Sequence, residues 1–188
     1  MTHGLGALTI VLLLGMVLTR VAILRRRGIT AVKFCATDKA DFLILPFAFL
    51  YFYIIFASAL DWPTFVHSTM FTSTVAAWVG VALCASGLGL IIVTLIAFGS
   101  SFRVGIDMDR PYKLVTTGVF ARTRNPIFIA YTMVLAGEFL ILPHWLLLVY
   151  LLAGVLFLHR QILREEGYLA SHYGSEYQAY RKQVPRYL

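Results

Sequence analysis

Residues 127–158 read IFIAYTMVLAGEFLILPHWLLLVYLLAGVLFL, with Arg124-Asn125-Pro126 just before them and Glu165-Glu166 shortly after. Glu138 is the only formally charged side chain in the stretch, and Pro143-His144 is its only break. Proline cannot continue a helix from within. The stretch is therefore expected to form two antiparallel helices that enter a membrane and return. Such a hairpin brings its two polar flanks to one membrane face. A cluster assembled there can hold a charged, water-soluble molecule while the bilayer supplies a lipophilic one.

The rest of the chain agrees with a membrane setting. Of 188 residues, 60% are hydrophobic and only 13% charged, and the mean hydropathy is +0.80. A soluble domain carries about a quarter charged residues. Apolar stretches run from Leu5 to Leu24, Phe42 to Leu60, Val75 to Phe98, Ile127 to Leu142 and Trp145 to Leu158. They predict an all-α polytopic bundle of about five transmembrane helices. About 15 residues at 1.5 Å rise cover only ~22 Å, short of a ~30 Å hydrocarbon core. The last helix is expected to extend on its Arg160 side, or the bilayer to thin locally. The expected organisation is one domain. Residues 1–98 supply three spans, and residues 99–188 supply a loop, the hairpin and a C-terminal helical tail.

The distribution of the 16 Lys and Arg residues is one-sided. Arg20 lies near the inner end of the first span, and Arg25, Arg26, Arg27, Lys33 and Lys39 follow it. Arg103, Arg110, Lys113, Arg122 and Arg124 follow the third. Arg160, Arg164, Arg181, Lys182 and Arg186 follow the fifth. With five spans all fall on one side, which predicts an outer N-terminus and a cytoplasmic C-terminus, in the inner membrane if the source is bacterial. The same asymmetry accounts for the +7 net charge through topology and anionic headgroups, without nucleic acid. The basic residues follow the first apolar run, so that run does not read as a cleavable signal. Cys35 and Cys84 have neither metal-ligand nor disulfide spacing and read as structural.

Two segments on the basic side are long enough to build a site, 99–126 and 159–188. The first has a turn signal at Thr117-Gly118. The second carries Glu165 and Glu166 on a helix that stops near Tyr173-Gly174. Ser175 and Gln178 have capping-box spacing for a further short helix, which presents Tyr177 and Tyr180 and ends at Val184-Pro185.

In chain order, Leu114-Val115-Thr116-Thr117-Gly118-Val119-Phe120, Arg124-Asn125-Pro126-Ile127-Phe128, Glu165-Glu166, Tyr173-Gly174-Ser175-Glu176-Tyr177-Gln178-Ala179-Tyr180 and Val184-Pro185 form an ordered set. The set resembles the isoprenylcysteine carboxyl methyltransferase family and its phospholipid methyltransferase relatives. The resemblance spans about 99–186. It implies an integral membrane enzyme that uses S-adenosylmethionine, with a lipophilic or lipid-linked acceptor drawn from the membrane. It further implies that Tyr112, Lys113, Leu114 and Val115 line the cofactor with backbone groups and that Phe120 packs near its adenine. Asn125, Pro126, Ile127 and Phe128 would form the loop beneath it. Glu165 would hold a polar group of the cofactor, and Glu166, counted with the cofactor-binding residues, would brace the tail or a basic neighbour. Arg124 and Arg164 are the implied catalytic residues, with Arg124 positioning the loop.

The chain departs from the family pattern at four positions. Asn125 stands where histidine is common, and it cannot take up a proton at neutral pH. Phe128 replaces a tyrosine, Ala130 a glycine, and Gln161 the arginine that faces an acceptor carboxylate. The acceptor therefore stays open among a carboxylate, a thiol and an amine. Methyl transfer from a sulfonium depends on in-line alignment and needs no metal, and no metal ligand set is evident. A cation between aromatic faces and a carboxylate is stabilised, and Phe120, Phe128 and Glu165 offer these groups. Competing readings are a nicotinamide-dependent membrane reductase related to sterol reductases, and a non-enzymatic membrane protein.

Several other features have ordinary explanations. Glu165 and Glu166 by themselves read as a solvated helix face paired with Arg160 and Arg164. Glu138 is an intramembrane carboxyl and hence a functional candidate, or else a hydrated group near the outer end of its helix. Gly87-Leu88-Gly89 reads as close helix packing. Trp62, Trp78 and Trp145 read as interfacial anchors. His3, His67 and His144 fall on the outer side. His159 and His172 fall at the interface, and none of the five histidines is assigned a role.

Overall fold

The apolar stretches become helices with recognisable ends. A computed structural model describes residues 1–26, 44–63, 69–99 and 114–187. Cys35, His67, Tyr112, Lys113, Arg27, Lys33, Lys39, Arg103 and Arg110 lie outside these residues. The described part is all-α, with α1 Thr2–Arg26, α2 Ile44–Ala59, α3 Thr74–Phe98, α4 Pro126–Ile141 and α5 Trp145–Gln183. A single 3-10 turn, Gly118–Ala121, precedes α4. Ser73 caps α3 by accepting from the Ala76 N–H at 3.2 Å. Helix α1 ends on Arg25 and Arg26, which complement the negative end of its dipole. His144 opens α5, its Nδ1 accepting from the Leu146 N–H at 3.1 Å, a capping role that sequence reading missed.

Helices α1, α3 and α5 are long and apolar enough to cross a membrane. Helices α2 and α4 have 16 residues each, about 24 Å at the α-helical rise. The expected glycine stop is present inside α5. Gly174 has φ 50° and ψ −119°, and helix resumes beyond it. Gly118 likewise takes a positive φ, at the turn anticipated there.

Helices α3 and α4 pack antiparallel along a stripe of small residues. Gly80, Cys84 and Gly87 on α3 recur at helical spacing against Ala130, Val134 and Gly137 on α4. A Cβ on Gly80 would lie 2.5 Å from the Gly137 carbonyl oxygen, and one on Gly137 would lie 2.5 Å from Cys84 Sγ. The backbones are thus in contact, as small residues permit in membrane bundles. Gly89 sits two residues from Gly87, and a Cβ there would meet nothing within 4 Å. Gly80→Ala is therefore expected to destabilise the bundle by about 1–3 kcal/mol through overpacking. Gly89→Ala should be neutral or slightly stabilising through helix propensity. Thermal unfolding of the two variants in detergent checks the pair, and equal melting temperatures would contradict the contact.

Glu138 is 1% exposed. It faces α1 and α3, with Cys84 Sγ donating towards its Oε1 at 3.9 Å and Gly6 close against its Oε2. Protein packing surrounds this carboxyl, in place of the hydration considered above. At the same end of the bundle a cavity of about 320 Å³ is lined by His3, Ser58, Asp61 and Trp62 among others. The hairpin tip is fastened there by the Met70 N–H donating to the Pro143 carbonyl at 2.7 Å.

The opposite end collects the basic residues. Arg20, near the C-terminal end of α1, donates to the Gly99 carbonyl that ends α3. Phe98 at that end of α3 meets Phe120, ring centroids 4.7 Å apart. Helix α4 begins at this end, and α5 returns to it. Among the described residues, no Lys or Arg lies in the far-end segments 60–63, 69–73 or 142–145.

Candidate functional site

Pro126 fixes where the site begins. Proline is favoured in the first helical turn because its missing N–H is not needed there, and α4 starts at it. The loop expected over Asn125 to Phe128 is accordingly shorter, since Ile127 and Phe128 already belong to α4. Asn125 occupies the N-cap but makes no capping hydrogen bond with its side chain. Its amide is used elsewhere, donating to the Arg186 carbonyl at 3.1 Å and towards Glu166 Oε1 at 3.5 Å.

Glu166 is the centre of this cluster. It is 8% exposed. Arg124 Nη1 lies 3.2 Å from its Oε1, and Arg186 Nη2 lies 2.8 Å from its Oε2. Arg186 Nε adds contacts of 3.1 Å to both oxygens. Arg124 Nη1 also donates to the Tyr177 hydroxyl at 3.2 Å. The second part of α5 closes the cluster from its other side. Tyr180 donates to the Phe120 carbonyl at 2.7 Å. Tyr177, Tyr180 and Val184 form a small core, with Leu114 packed on it.

Burial by itself would raise the Glu166 carboxyl. The Arg186 hydrogen bonds and the charges of Arg124 and Arg186 outweigh it and hold the group below the usual carboxylate range. A depressed folded-state value stabilises the fold above the unfolded pKa, and that stability is lost as pH falls through the folded value. The contribution should thus be intact above about pH 4.5, near the ordinary glutamate range, and disappear on further acidification. A melting-temperature series against pH should show this acid loss in the wild type, and a Glu166→Gln variant should show less of it.

Glu165 differs from its neighbour because adjacent residues point about 100° apart around a helix. Its carboxylate accepts from Gln161 Nε2 at 3.1 Å, one turn back. Among the described residues no cation is paired with it. Burial pushes its carboxyl up, with Gln161 acting in the opposite direction. Arg164 precedes it on the same helix and is half-buried. Arg124 Nε is buried and has no hydrogen-bond partner among the described residues.

The structure therefore brings together Leu114, Phe120, Arg124, Asn125, Pro126 and Glu166. Val115, Ile127 and Phe128 adjoin them in sequence, and Arg164 and Glu165 stand on the same stretch of α5 as Glu166. Three participants were given no site role by sequence reading, although Tyr177 was placed on the short helix. Thr123, 2% exposed, donates to the Arg186 carbonyl at 3.2 Å and accepts from the Asn125 N–H at 3.3 Å. The others are Tyr177 and Arg186. Their only sequence signals were the helix-resuming segment after Gly174 and the chain-extending Val184-Pro185.

Comparison with known proteins agrees with this ordered set. A model of the phospholipid methyltransferase family matches residues 75–176. The protein-S-isoprenylcysteine O-methyltransferase of Schizosaccharomyces pombe is 31% identical over 94 residues, covering 48% of this chain and 40% of that protein. The enzyme of the same name from Tribolium castaneum is 31% identical over 109 residues, covering 56% of this chain and 39% of its own length. The chain thus spans about two-fifths of the length of these curated relatives. The family match runs from the start of α3 through the hairpin to the Gly174 break, the elements that carry the Arg124–Glu166 cluster, and on it the chain belongs to the phospholipid methyltransferase family.

Proposed function

We propose that this chain transfers a methyl group from S-adenosylmethionine to a lipophilic acceptor at the cytoplasmic boundary of a membrane. The single observation that carries the reading is the contrast between two adjacent carboxylates. Glu166 is neutralised by Arg124 and Arg186. Glu165, half-buried beside it, has an amide partner and no paired cation among the described residues. A carboxylate so placed suits a cationic ligand, and S-adenosylmethionine carries positive charge on its sulfonium and its α-ammonium.

When bound, the cofactor supplies a methyl group whose bond to sulfur breaks as the acceptor's lone pair attacks, leaving a neutral thioether. The protein's work is alignment and charge placement. Glu165 binds the cation. Phe120 and Phe128 offer aromatic faces, and Leu114, packed on the tyrosine core, and Val115 offer backbone groups, a role the family resemblance also gives to Tyr112 and Lys113, which lie outside the described residues. Arg124, held by Glu166 and Tyr177, fixes the start of α4 and keeps Nε for an anionic or carbonyl group of the ligand. Arg164, on the α5 turn of Glu165, is assigned to the acceptor. The hairpin of α4 and α5 admits the acceptor from lipid. In the orientation set by the basic residues, the N-terminus is outside and the C-terminus cytoplasmic. Residues 1–98 anchor the domain, and 99–188 carry the site.

Membranes containing the protein, incubated with methyl-labelled donor, are expected to place label on a lipid-extractable acceptor. Membranes with Glu165→Ala are expected to lose that label. Equal labelling with and without the protein would remove the basis for the reading.

A further inference from the structure

We infer that the C-terminal segment Val184–Tyr187 is a strap that sets the cofactor site, with Arg186 as its positioning residue. The inference rests on the methyl-donor reading above for its link to binding, but its geometry is independent of that reading. Val184 ends α5 with φ −120° and ψ 128°, so the chain leaves the helix extended and runs back along it. Three backbone or side-chain groups of the segment before α4 then bond to this strap. The Arg124 N–H donates to the Pro185 carbonyl at 3.0 Å. Thr123 Oγ1 and Asn125 Nδ2 both donate to the Arg186 carbonyl, at 3.2 and 3.1 Å.

The other face of the strap is fixed to α5. Arg186 makes a forked pair with Glu166, and Tyr187 shares a hydrogen bond of 2.5 Å with His159 Nδ1. One residue thus ties the pre-α4 segment, through its carbonyl, to the α5 turn that carries Glu165, through its guanidinium. Forked guanidinium–carboxylate pairs fix geometry as well as charge, and lysine cannot reproduce the fork. The strap touches no proposed ligand group. Its effect on binding passes through Asn125, Arg124 and Glu166.

The experiment measures S-adenosylhomocysteine affinity against pH for the full-length protein in detergent, as wild type, Arg186→Ala and Arg186→Lys. It adds amide hydrogen exchange over residues 118–129 without ligand. Arg186→Ala is expected to bind about ten-fold more weakly, the size of one charge-assisted contact of roughly 1.5 kcal/mol. The acid limb of its affinity profile, which begins with Glu165, should broaden to higher pH at its lower end, because Glu166 loses one of the partners that depress it. Arg186→Lys should fall between the two, and exchange at residues 118–129 should quicken in the order wild type, Lys, Ala. A general loss of stability would not move the acid limb. Wild-type affinity, acid limb and exchange in both variants would overturn the strap. If Arg186→Ala does not fold, Arg186→Lys decides by the same three readouts. If the wild type binds no S-adenosylhomocysteine, the methyl-donor reading fails, and hydrogen exchange alone decides whether Arg186 positions the segment.

Discussion

Glu165→Ala is expected to weaken S-adenosylhomocysteine binding by roughly ten- to a hundred-fold, the range given by losing a charged hydrogen bond of about 1.5–3 kcal/mol. The same variant should melt within about 1 kcal/mol of the wild type, because no cation among the described residues depends on this carboxylate. Burial raises the Glu165 carboxyl, against the pull of Gln161. Affinity for the α-ammonium of S-adenosylhomocysteine should therefore decline as pH falls through that raised value, because only the ionised form attracts it. Glu165→Gln should bind weakly at every pH, since it mimics the protonated acid. Calorimetric titrations across pH check both points. A Glu165→Ala protein that binds as the wild type does would detach Glu165 from the site.

Glu166→Ala should give the opposite pattern, with a large stability loss. It leaves Arg124, whose side chain is 8% exposed, with a buried charge and no carboxylate, and it frees the Arg186 strap. Breaking one side of a buried ion pair costs about 3–5 kcal/mol. Partial exposure of Arg186, at 30%, places the expected loss near about 3 kcal/mol. Replacing both Arg124 and Glu166 by apolar residues of similar volume, as in Arg124→Met with Glu166→Leu, should recover part of that loss without recovering ligand affinity. Melting temperatures of the single and double variants measure this. A Glu166→Ala protein as stable as Glu165→Ala would mean that the two carboxylates are not divided into a structural and a binding group.

The fold was legible wherever it is written in local chemistry. The hairpin follows from Pro143 inside an apolar run, the start of α4 from Pro126, and the α5 break from Gly174. Each is a residue with a fixed backbone consequence. The close α3–α4 contact was legible in part, since Gly87 suggested packing. The partner residues Ala130 and Gly137 become visible only once the helices are paired. The site was legible as a set of residue types in order, and Arg124, Asn125 and Glu166 do meet. The tail was not. Thr123 and Arg186 are 63 residues apart in sequence, and no periodicity links an extended strap to the loop it covers. Residue type alone does not distinguish Glu165 from Glu166, and only the family resemblance assigned the first to the cofactor and the second to a bracing role. Their division of labour depends on which side of α5 faces Arg124 and Arg186.

The central claim is that the polar flanks of the hairpin converge into a site that binds S-adenosylmethionine and its demethylated thioether product. Titrating the folded, detergent-solubilised protein with S-adenosylhomocysteine, and separately with NADPH, tests it most directly. The account predicts one saturable site for the first ligand and none for the second. No heat with S-adenosylhomocysteine from a protein shown to be folded, or saturable binding of NADPH in its place, would contradict it.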